Sequence, residues 1–515
     1  MPVLTSGRRY AVLAAVCLAA FAINLDTTIV NVALPALGRQ LGATTRDLQW
    51  VVDGYNLAFA ALVLTAGALG DRFGRRPALL LGLAGFGLAS GIGAAVGSVG
   101  ALVVIRLLMG ACAALIFPTT LSIITSTFPD RGERSRAIGI WGAVTGLGVA
   151  IGPVTGGLLL SHFTWPSVFL ALVPVAAVAM VAAFVLVPES SDPQQARLDL
   201  PGLALSTAAI SLLVYTIIEA PQRGWGNALT VGGFVATAVL AGLFIAVERR
   251  RPHPMIDVTL FRTPAFSAAS ASVTVAFFAL FGFIFLVTQY FQFIRGFGAL
   301  STGVRILPVA LTIGLGSVVG VALATRFGTR IVVMTGLCLL AIAFGWIAMS
   351  ATFMSYQVIV GQMVFMGLGL GLTTAPATES ILSVLPAAKA GIGSAVNDAT
   401  REAGGTLGVA VLGSIFLSAY AAKMDTGVFA ARPPAETAAA RESIASALGI
   451  VGQQPAGTAG VLLQQVQQSF MSGFHTACLV ATAICLLGAA GARWLPGRRP
   501  AIAPTRADVV APAVR

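Results

Sequence analysis

Fourteen apolar segments, each about 20 residues long, constrain the fold of this chain more than any other feature. A segment of this length crosses a bilayer as an α-helix, which satisfies its own backbone hydrogen bonds in lipid. The segments lack the alternating pattern of barrel strands. They predict helices 1 to 14 at residues 11–32, 48–69, 78–97, 101–125, 137–160, 166–187, 200–219, 229–247, 265–288, 302–325, 331–350, 357–378, 393–417 and 471–492.

Composition supports a membrane protein and excludes an ordinary soluble domain. The chain is 57% hydrophobic and 10% charged, whereas soluble domains are roughly 45–50% apolar and about 25% charged. The predicted fold class is therefore an all-α polytopic membrane protein with 14 transmembrane helices.

The distribution of basic residues predicts the orientation. The net charge is +12, but the arginines and lysines are spread over short connections and form no compact patch for nucleic acid. Most lie on the side of the N-terminus. The opposite side holds Arg39, Arg46, Arg223, Arg295, Arg305, Lys423, Arg432 and Arg441. Because cytoplasmic loops carry the excess of positive charge, both termini are predicted to be cytoplasmic.

An internal repeat predicts the domain organisation. The sequence DRFGRR joins predicted helices 2 and 3, and TRFGTR joins helices 10 and 11, eight helices later. Two inserted helices between two six-helix bundles explain this offset. The bundles are predicted at 1–190 and 261–494, the second with an external loop at 420–470 that includes a short surface helix. Inserted helices 7 and 8 with a cytoplasmic linker occupy 191–260, and a disordered cytoplasmic tail occupies 495–515.

Two carboxylates inside predicted helices, Asp26 and Asp53, are candidates for proton coupling, and Arg106 in helix 4 is a permanent positive charge that can act on a nearby carboxylate. A carboxylate inside a membrane is costly and is by default a functional candidate that faces the bundle interior. Two alternatives remain open at this point, an interfacial position for Asp53 and a side chain of Arg106 that reaches out to the membrane surface.

Two glycine-containing segments predict a gate and a close helix contact. In loop 2–3, the turn at Gly74 carries the gating candidates Gly67, Asp71, Arg72, Gly74, Arg75 and Arg76. In helix 5, glycines leave one face of the helix without side chains, so that a neighbouring backbone can approach that face. A proline bends the same helix. The residues concerned are Gly148, Gly152, Pro153, Gly156 and Gly157.

Further polar and aromatic residues are candidates for the substrate cavity or for a charge network. Helix 9 is rich in phenylalanine, and rings on its cavity side suit planar or cationic compounds. The cavity candidates are Asn31, Phe281, Phe285, Gln289 and Gln292. Glu379, Asp398, Arg401 and Glu402 are interpreted as an interfacial charge network, and Glu219 as an exposed loop residue.

These motifs together resemble those of the major facilitator superfamily. GALGDRFGRR is similar to its loop 2–3 signature, LVVIRLLMGACAA to its helix-4 arginine motif, and GLGVAIGPVTGG to its helix-5 antiporter motif. The segments LDTTIVNVALP, WVVDGYNLAFAALVLTAG and GIGSAVNDATREAGGTLGVAVLG narrow the resemblance to the fourteen-helix drug:proton antiporters of the EmrB/QacA type.

The resemblance implies proton-coupled efflux of amphipathic or cationic drugs across the bacterial plasma membrane by alternating access. It also implies a part for Arg106 in proton coupling, through a carboxylate partner. Two alternatives remain: an exporter dedicated to one endogenous metabolite or antibiotic, and a substrate:proton uptake symporter. We expect no enzymatic activity and no metal, because the sequence shows no dense intramembrane His/Asp constellation and its three histidines are far apart. We expect no cofactor, because the proton gradient supplies the energy. The expected partners are a small amphipathic substrate, protons and the lipid bilayer, and the chain is expected to act as a monomer.

Overall fold

The computed structural model describes residues 6–191, 199–251, 254, 257–383 and 390–497. Within them, the long helices are named in chain order: α1 Ser6–Gln40, α2 Thr45–Phe73, α3 Arg75–Gly93, α4 Val99–Thr127, α5 Arg131–His162, α6 Pro166–Leu186, α7 Leu200–Arg223, α8 Ala228–Glu248, α9 Pro264–Gln289, α10 Ala299–Phe327, α11 Thr329–Ala348, α12 Tyr356–Ser383, α13 Ala390–Met424 and α14 Ala456–Gly491.

The number of membrane-spanning helices agrees with the sequence-based prediction. Thirteen described helices are long and apolar enough to cross a membrane, and α2 is the fourteenth if its two parts, Thr45–Val63 and Thr65–Phe73, form one span. The all-α, fourteen-helix class is therefore confirmed. The predicted disordered tail lies outside the described residues from position 498 onward.

The predicted external loop at 420–470 is largely helical instead. The helix α14 begins at Ala456, so only residues 425–455 separate it from α13, and they contain two short helices, Pro434–Glu442 and Ile444–Gly452. Leu462, Val466 and Phe470 recur every four residues and are fully buried. Because the glutamines between them lower the average hydropathy, the segment resembles a loop by composition although it has the apolar face of a helix.

Equivalent helices of the two halves pack in the same way. In the N-terminal half (α1–α6), α2 packs on α4, α1 on α5, α3 on α4 and α6, and α1 on α6. In the C-terminal half (α9–α14), the pairs shifted by eight helices all recur: α10 with α12, α9 with α13, α11 with α12 and α14, and α9 with α14.

The two repeated loops form equivalent turns. Helix α2 ends at Phe73, Gly74 has φ +115°, and α3 begins at the next residue; α10 ends at Phe327, Gly328 has φ +89°, and α11 follows. Such positive φ values are easily adopted only by glycine. Beyond each turn, an arginine N–H is bonded to the segment after the last helix of its half: Arg75 to Ser190 O at 2.9 Å and Arg330 to Pro496 O at 3.1 Å.

The two halves meet through α5 with α10 and through α2 with α13, again a symmetric pair of contacts. We call the side on which α1 ends, at Gln40, the far side. On that side the amide of Gln49 in α2 donates to Val409 O, Ala410 O and Ser414 Oγ of α13 at 3.2–3.3 Å. Helix α7 packs on both α2 and α13, whereas the principal packing partner of α8 is α7.

Candidate functional site

The predicted coupling residues Asp26 and Arg106 form a buried ion pair. The guanidinium Nη1 of Arg106, in α4, donates to both carboxylate oxygens of Asp26, in α1, at 2.8 and 2.7 Å. The side chains are 1% and 0% exposed. Hydrogen bonds between two ionised groups are among the strongest in proteins, and an arginine keeps its charge under all physiological conditions.

Helix α2 completes the surroundings of Arg106. Its Nε donates to Val51 O at 2.9 Å, and its Cζ lies 4.3 Å from the centre of the Tyr55 ring. The alternative prediction, in which the side chain of Arg106 extends to the membrane surface, is therefore wrong. Tyr55 was not predicted as a site residue and is fully buried. Its position two residues after Asp53 in a largely apolar helix was the available sequence signal.

Asp53, the third predicted residue, is fully buried without a partner. It is 0% exposed, and neither carboxylate oxygen has a hydrogen-bond partner among the described residues. The interfacial alternative is therefore wrong. An ionised carboxylate in such surroundings is very costly. Asp53 is therefore the least compensated charged side chain of α2, the helix that packs beside the ion pair.

A central cavity of ≈ 30 Å³ lies between the two halves next to the ion pair. The N-terminal half contributes Ile23, Asn24, Thr27, Thr28, Phe59, Phe117 and Val149, and the C-terminal half contributes Phe277, Leu280, Phe281, Ile284, Arg401 and Glu402. Since Asn24 and Thr27 flank Asp26 on α1, a movement of this helix affects both the pair and the cavity wall.

The four residues predicted to form an interfacial charge network do not lie together at the interface. Glu379 is exposed, one turn before the end of α12. Asp398 is buried, 3.7 Å from Arg401, whose Cζ lies 4.6 Å from the ring centre of Phe277. Arg401 and Glu402 line the central cavity. The part of α13 at residues 398–402 thus lies inside the bundle, on a helix that packs against α9.

The residues predicted to line the substrate cavity do not all line the same cavity. Phe281 lines the central cavity, and Gln292 lines a second cavity on the far side. Asn31, Phe285 and Gln289 are buried and line neither of these two cavities. The cavity residues that sequence reasoning missed, Asn24, Thr27, Phe59 and Phe117, come from three helices of the N-terminal half, and no local pattern brings them together.

The glycines of α5 face two different helices. A Cβ atom at Gly148 would lie 3.0 Å from Phe21 O, and one at Gly156 would lie 3.0 Å from Ile29 O, both in α1. A Cβ at Gly157 would instead lie 2.6 Å from Ala299 O at the start of α10. The predicted close packing is confirmed, and it includes a contact between the two halves.

The residues of loop 2–3 are tied to helices of their own half. Arg75 Nε bonds to Asp71 Oδ1 at 2.6 Å, and Arg76 bonds to Phe184 O in α6 at 2.5 Å. A Cβ at Gly67 or Gly70 would approach Pro118 or Thr119 of α4. Arg72 lies over the ring of Phe73. Their role in gating stays a prediction.

Comparison with known proteins supports the same family. A model of the Major Facilitator Superfamily matches residues 16–409. The chain is 34% identical over 486 residues to the multidrug efflux pump LfrA of Mycolicibacterium smegmatis, covering 94% of this chain and 96% of that protein. It is 35% identical over 491 residues to the tetracenomycin C resistance and export protein of Streptomyces glaucescens, covering 94% and 91%.

A solved structure shows a similar fold. It is that of a bacterial homologue of the human lysosomal transporter Spinster in an inward-facing, occupied conformation, with a TM-score of 0.67 and 17% identity. The match covers 95% of this chain and 97% of that one. At this identity the likeness concerns the fold alone.

Proposed function

Because this chain belongs to the Major Facilitator Superfamily, we propose that it exports amphipathic or cationic drugs or antibiotics across a bacterial plasma membrane in exchange for protons. Relatives that are similar over more than nine-tenths of its length are named as drug efflux and antibiotic export proteins. The observation that carries proton coupling is the buried Asp26–Arg106 pair next to the central cavity.

The pair supports coupling because only one partner can change its charge. Arg106 retains its proton, so protonation of Asp26 would remove the counter-charge of a buried cation. A conformation in which Arg106 is better solvated would then be favoured. In this proposal, protons enter through Asp26, and Asp53, which has no partner, serves as a second proton-binding carboxyl group.

The proposed orientation follows from the basic loops and the contacts between the halves. With both termini in the cytoplasm, the far side is external. The contacts of Gln49 with α13 and of Gly157 with α10 close the molecule on that side. On the cytoplasmic side, a Cβ at Gly139, Gly142 or Gly146 of α5 would meet no atom within 4 Å. This conformation is therefore proposed to be closed outward.

At ≈ 30 Å³ the central cavity is too small for a drug in this conformation and must widen to admit one, but its lining favours flat apolar compounds. Phe59, Phe117, Phe277 and Phe281 supply aromatic faces, and a cationic group could pair with Glu402, whose neighbour Arg401 lines the same cavity. The resemblance to the tetracenomycin C export protein supports one competing candidate, an exporter dedicated to a single antibiotic. Efflux assays with a panel of cationic dyes and antibiotics, in cells lacking their own pumps, separate the two: export of several unrelated dyes contradicts a dedicated exporter.

Asp26→Asn tests proton coupling. It preserves the size of the side chain but removes one of its two acceptor oxygens and the charge that protonation controls, so we expect it to abolish dye efflux from vesicles driven by an imposed pH gradient. Asp26→Glu is expected to retain partial activity. Gradient-independent dye exchange should persist in Asp26→Asn, which shows that the protein is folded and binds substrate.

Asp425→Asn, at an exposed carboxylate on the far side, is the matched control and should pump like the wild type. If Asp26→Asn also pumps like the wild type, Asp26 has a structural role, and the coupling site must be sought at Asp53 or Asp398.

A further inference from the structure

A second cavity opens on the far side, between the two halves and away from the Asp26–Arg106 pair. We call it the far-side crevice; its volume is ≈ 680 Å³. The ends of α1 and α5 form one wall, and the end of α9 and the start of α10 form the other. It therefore lies where the two halves meet.

Two arginines, one from each wall, line the far-side crevice without acidic partners among the described residues. Arg39 lies on α1, and Arg305 lies on α10. Neither forms an ion pair in the described part of the chain, although Arg46, Arg223, Arg432 and Arg441 on the same side all do. The buried Nε of Arg305 also lacks a hydrogen-bond partner there.

The guanidinium groups are held in position by aromatic rings and by the start of α10. The Cζ atom of Arg305 lies 4.2 Å from the ring centre of Phe297 and 5.4 Å from that of Tyr356, and its Nη1 contacts Ser301. Arg39 lies 5.8 Å from the ring centre of Phe293. No side chain caps the N-terminus of α10, whose free amides add positive potential to the same crevice.

The remaining lining and the mouth are apolar. Leu160, Leu300 and Val304 line the crevice, and the rim residues Phe163 and Val304 are 65% and 46% exposed. The crevice lies at the level where α1 and α5 end and α10 begins. Lipid headgroups meet a membrane protein at this level, with their acyl chains directed toward the bilayer centre.

We propose that the far-side crevice binds the phosphate headgroup of an anionic lipid between Arg39 and Arg305, with its acyl chains passing over Phe163 and Val304. Paired arginines match the charge and geometry of a phosphate group. Because one arginine belongs to each half, the bound phosphate bridges the halves and stabilises the conformation closed on the far side. It must leave this position when that side opens.

Lipid retention measures this site without any transport assay. The purified full-length protein is delipidated, incubated with phosphatidylglycerol or phosphatidylcholine, and examined by native mass spectrometry. We expect Arg39→Gln and Arg305→Gln each to lower the bound phosphatidylglycerol about fivefold, because each basic residue near a membrane surface contributes about 1 kcal/mol to the binding of an anionic lipid. The double glutamine variant should bind it no better than phosphatidylcholine, and the double lysine variant, which keeps the charges but not the planar guanidinium groups, should show intermediate binding.

Arg441→Gln is the matched control, because it removes one positive charge from the same side outside the crevice. A parallel series with millimolar inorganic phosphate distinguishes the source of the anion: arginine-dependent displacement of the lipid by phosphate would support a soluble anion at the same site. Equal phosphatidylglycerol binding by the wild type and the double glutamine variant would overturn the proposal. So would equal binding of the two lipids by the wild type.

Discussion

Arg106 and Asp26 show how a full charge can lie inside a membrane-spanning bundle. Removing two ions from water costs several kcal/mol each, and their attraction offsets this cost only when the geometry is good and the remaining hydrogen bonds are made. Here, two short hydrogen bonds, the Val51 carbonyl and the face of the Tyr55 ring surround the guanidinium. Asp53, only two residues away from Val51, has no such compensation.

This contrast predicts opposite effects of two chemically identical substitutions on stability. Asp26→Asn leaves Arg106 as an uncompensated buried cation, so we expect the free energy of unfolding to fall by about 3–5 kcal/mol. Asp53→Asn removes a carboxyl group without a partner, so we expect an unchanged or higher thermal midpoint in detergent at neutral pH. An equal loss of stability in both variants would contradict the assignment of Asp53 as unpartnered.

At the scale of the helices, α5 joins two neighbours through glycines on adjacent faces. Gly148, Gly152 and Gly156 bring it against α1, which carries Asp26, and Gly157 brings it against α10. The same helix is thus in direct contact with the coupling helix and with the other half. Backbone approach of this kind tolerates no additional side-chain atoms.

Gly152→Leu should therefore abolish efflux and lower the stability of the folded protein. Even a Cβ atom at this position would lie 3.1 Å from Ile29 N and would overlap Thr28 Oγ1. Gly242→Leu in α8 is the matched control, because no atom lies within 4 Å of a Cβ there and the principal packing partner of α8 is the neighbouring helix α7. Normal expression, thermal midpoint and efflux are expected for this control, and the same result for Gly152→Leu would disprove the close contact.

Helix α7 links the two halves on the far side. Glu219, which the sequence analysis interpreted as an exposed loop residue, is 8% exposed and lies between Arg46 of α2 and Arg223 at 3.3 and 3.5 Å. Trp225 Nε1, just beyond the end of α7, donates to Ser418 Oγ of α13 at 3.0 Å. The inserted helix is thus connected to both sides of the α2–α13 contact.

We expect Glu219→Gln to favour opening on the far side, because it weakens the link to α2. The effect should be several-fold, since a partly exposed ion pair contributes up to about 1 kcal/mol. In a cysteine-free background, a cysteine at the buried position Ser414 should react faster with an impermeant thiol reagent when Glu219 is replaced. Glu436→Gln, within an ion pair of the short helices, should leave the rate unchanged; a rate unaffected by Glu219→Gln would exclude α7 as a link.

In the molecule as a whole, the same symmetry that relates the two halves also relates the contacts between them. The pairs α5–α10 and α2–α13 are exchanged by the same eight-helix shift that relates the halves. A rocking movement of one half against the other would therefore separate both pairs together. The central cavity and the far-side crevice both lie along the boundary at which this movement would take place.

The proposed orientation predicts which loops can be labelled in intact cells. A cysteine at Thr426, between α13 and the short helices, should react with an impermeant thiol reagent. A tag at either terminus should be protected until the membrane is permeabilised. A labelled N-terminus would reverse the orientation, and the far side would then be cytoplasmic.

Much of the fold could be read from local patterns because each spanning helix must be apolar over its own length. The fourteen segments, the repeated RFG turn and the glycines of α5 are local or periodic features, and each has a direct physical requirement. The start of α14 was misplaced because glutamines dilute the apolar face formed by Leu462, Val466 and Phe470. Average hydropathy does not distinguish such a helix from a loop.

Local sequence patterns were sufficient to predict the membrane class, the helix number, the eight-helix repeat and the charged residues that require an explanation. The packing of distant helices was needed to establish that Arg106 faces Asp26, that Asp53 has no hydrogen-bond partner among the described residues, and that Glu402 lines the central cavity rather than the interface. The local sequence shows which residues are apolar. It does not show how each helix is rotated within the bundle or which helix packs against it. The role of a charge inside a bundle depends on the helix packed against it, and that helix is distant in sequence.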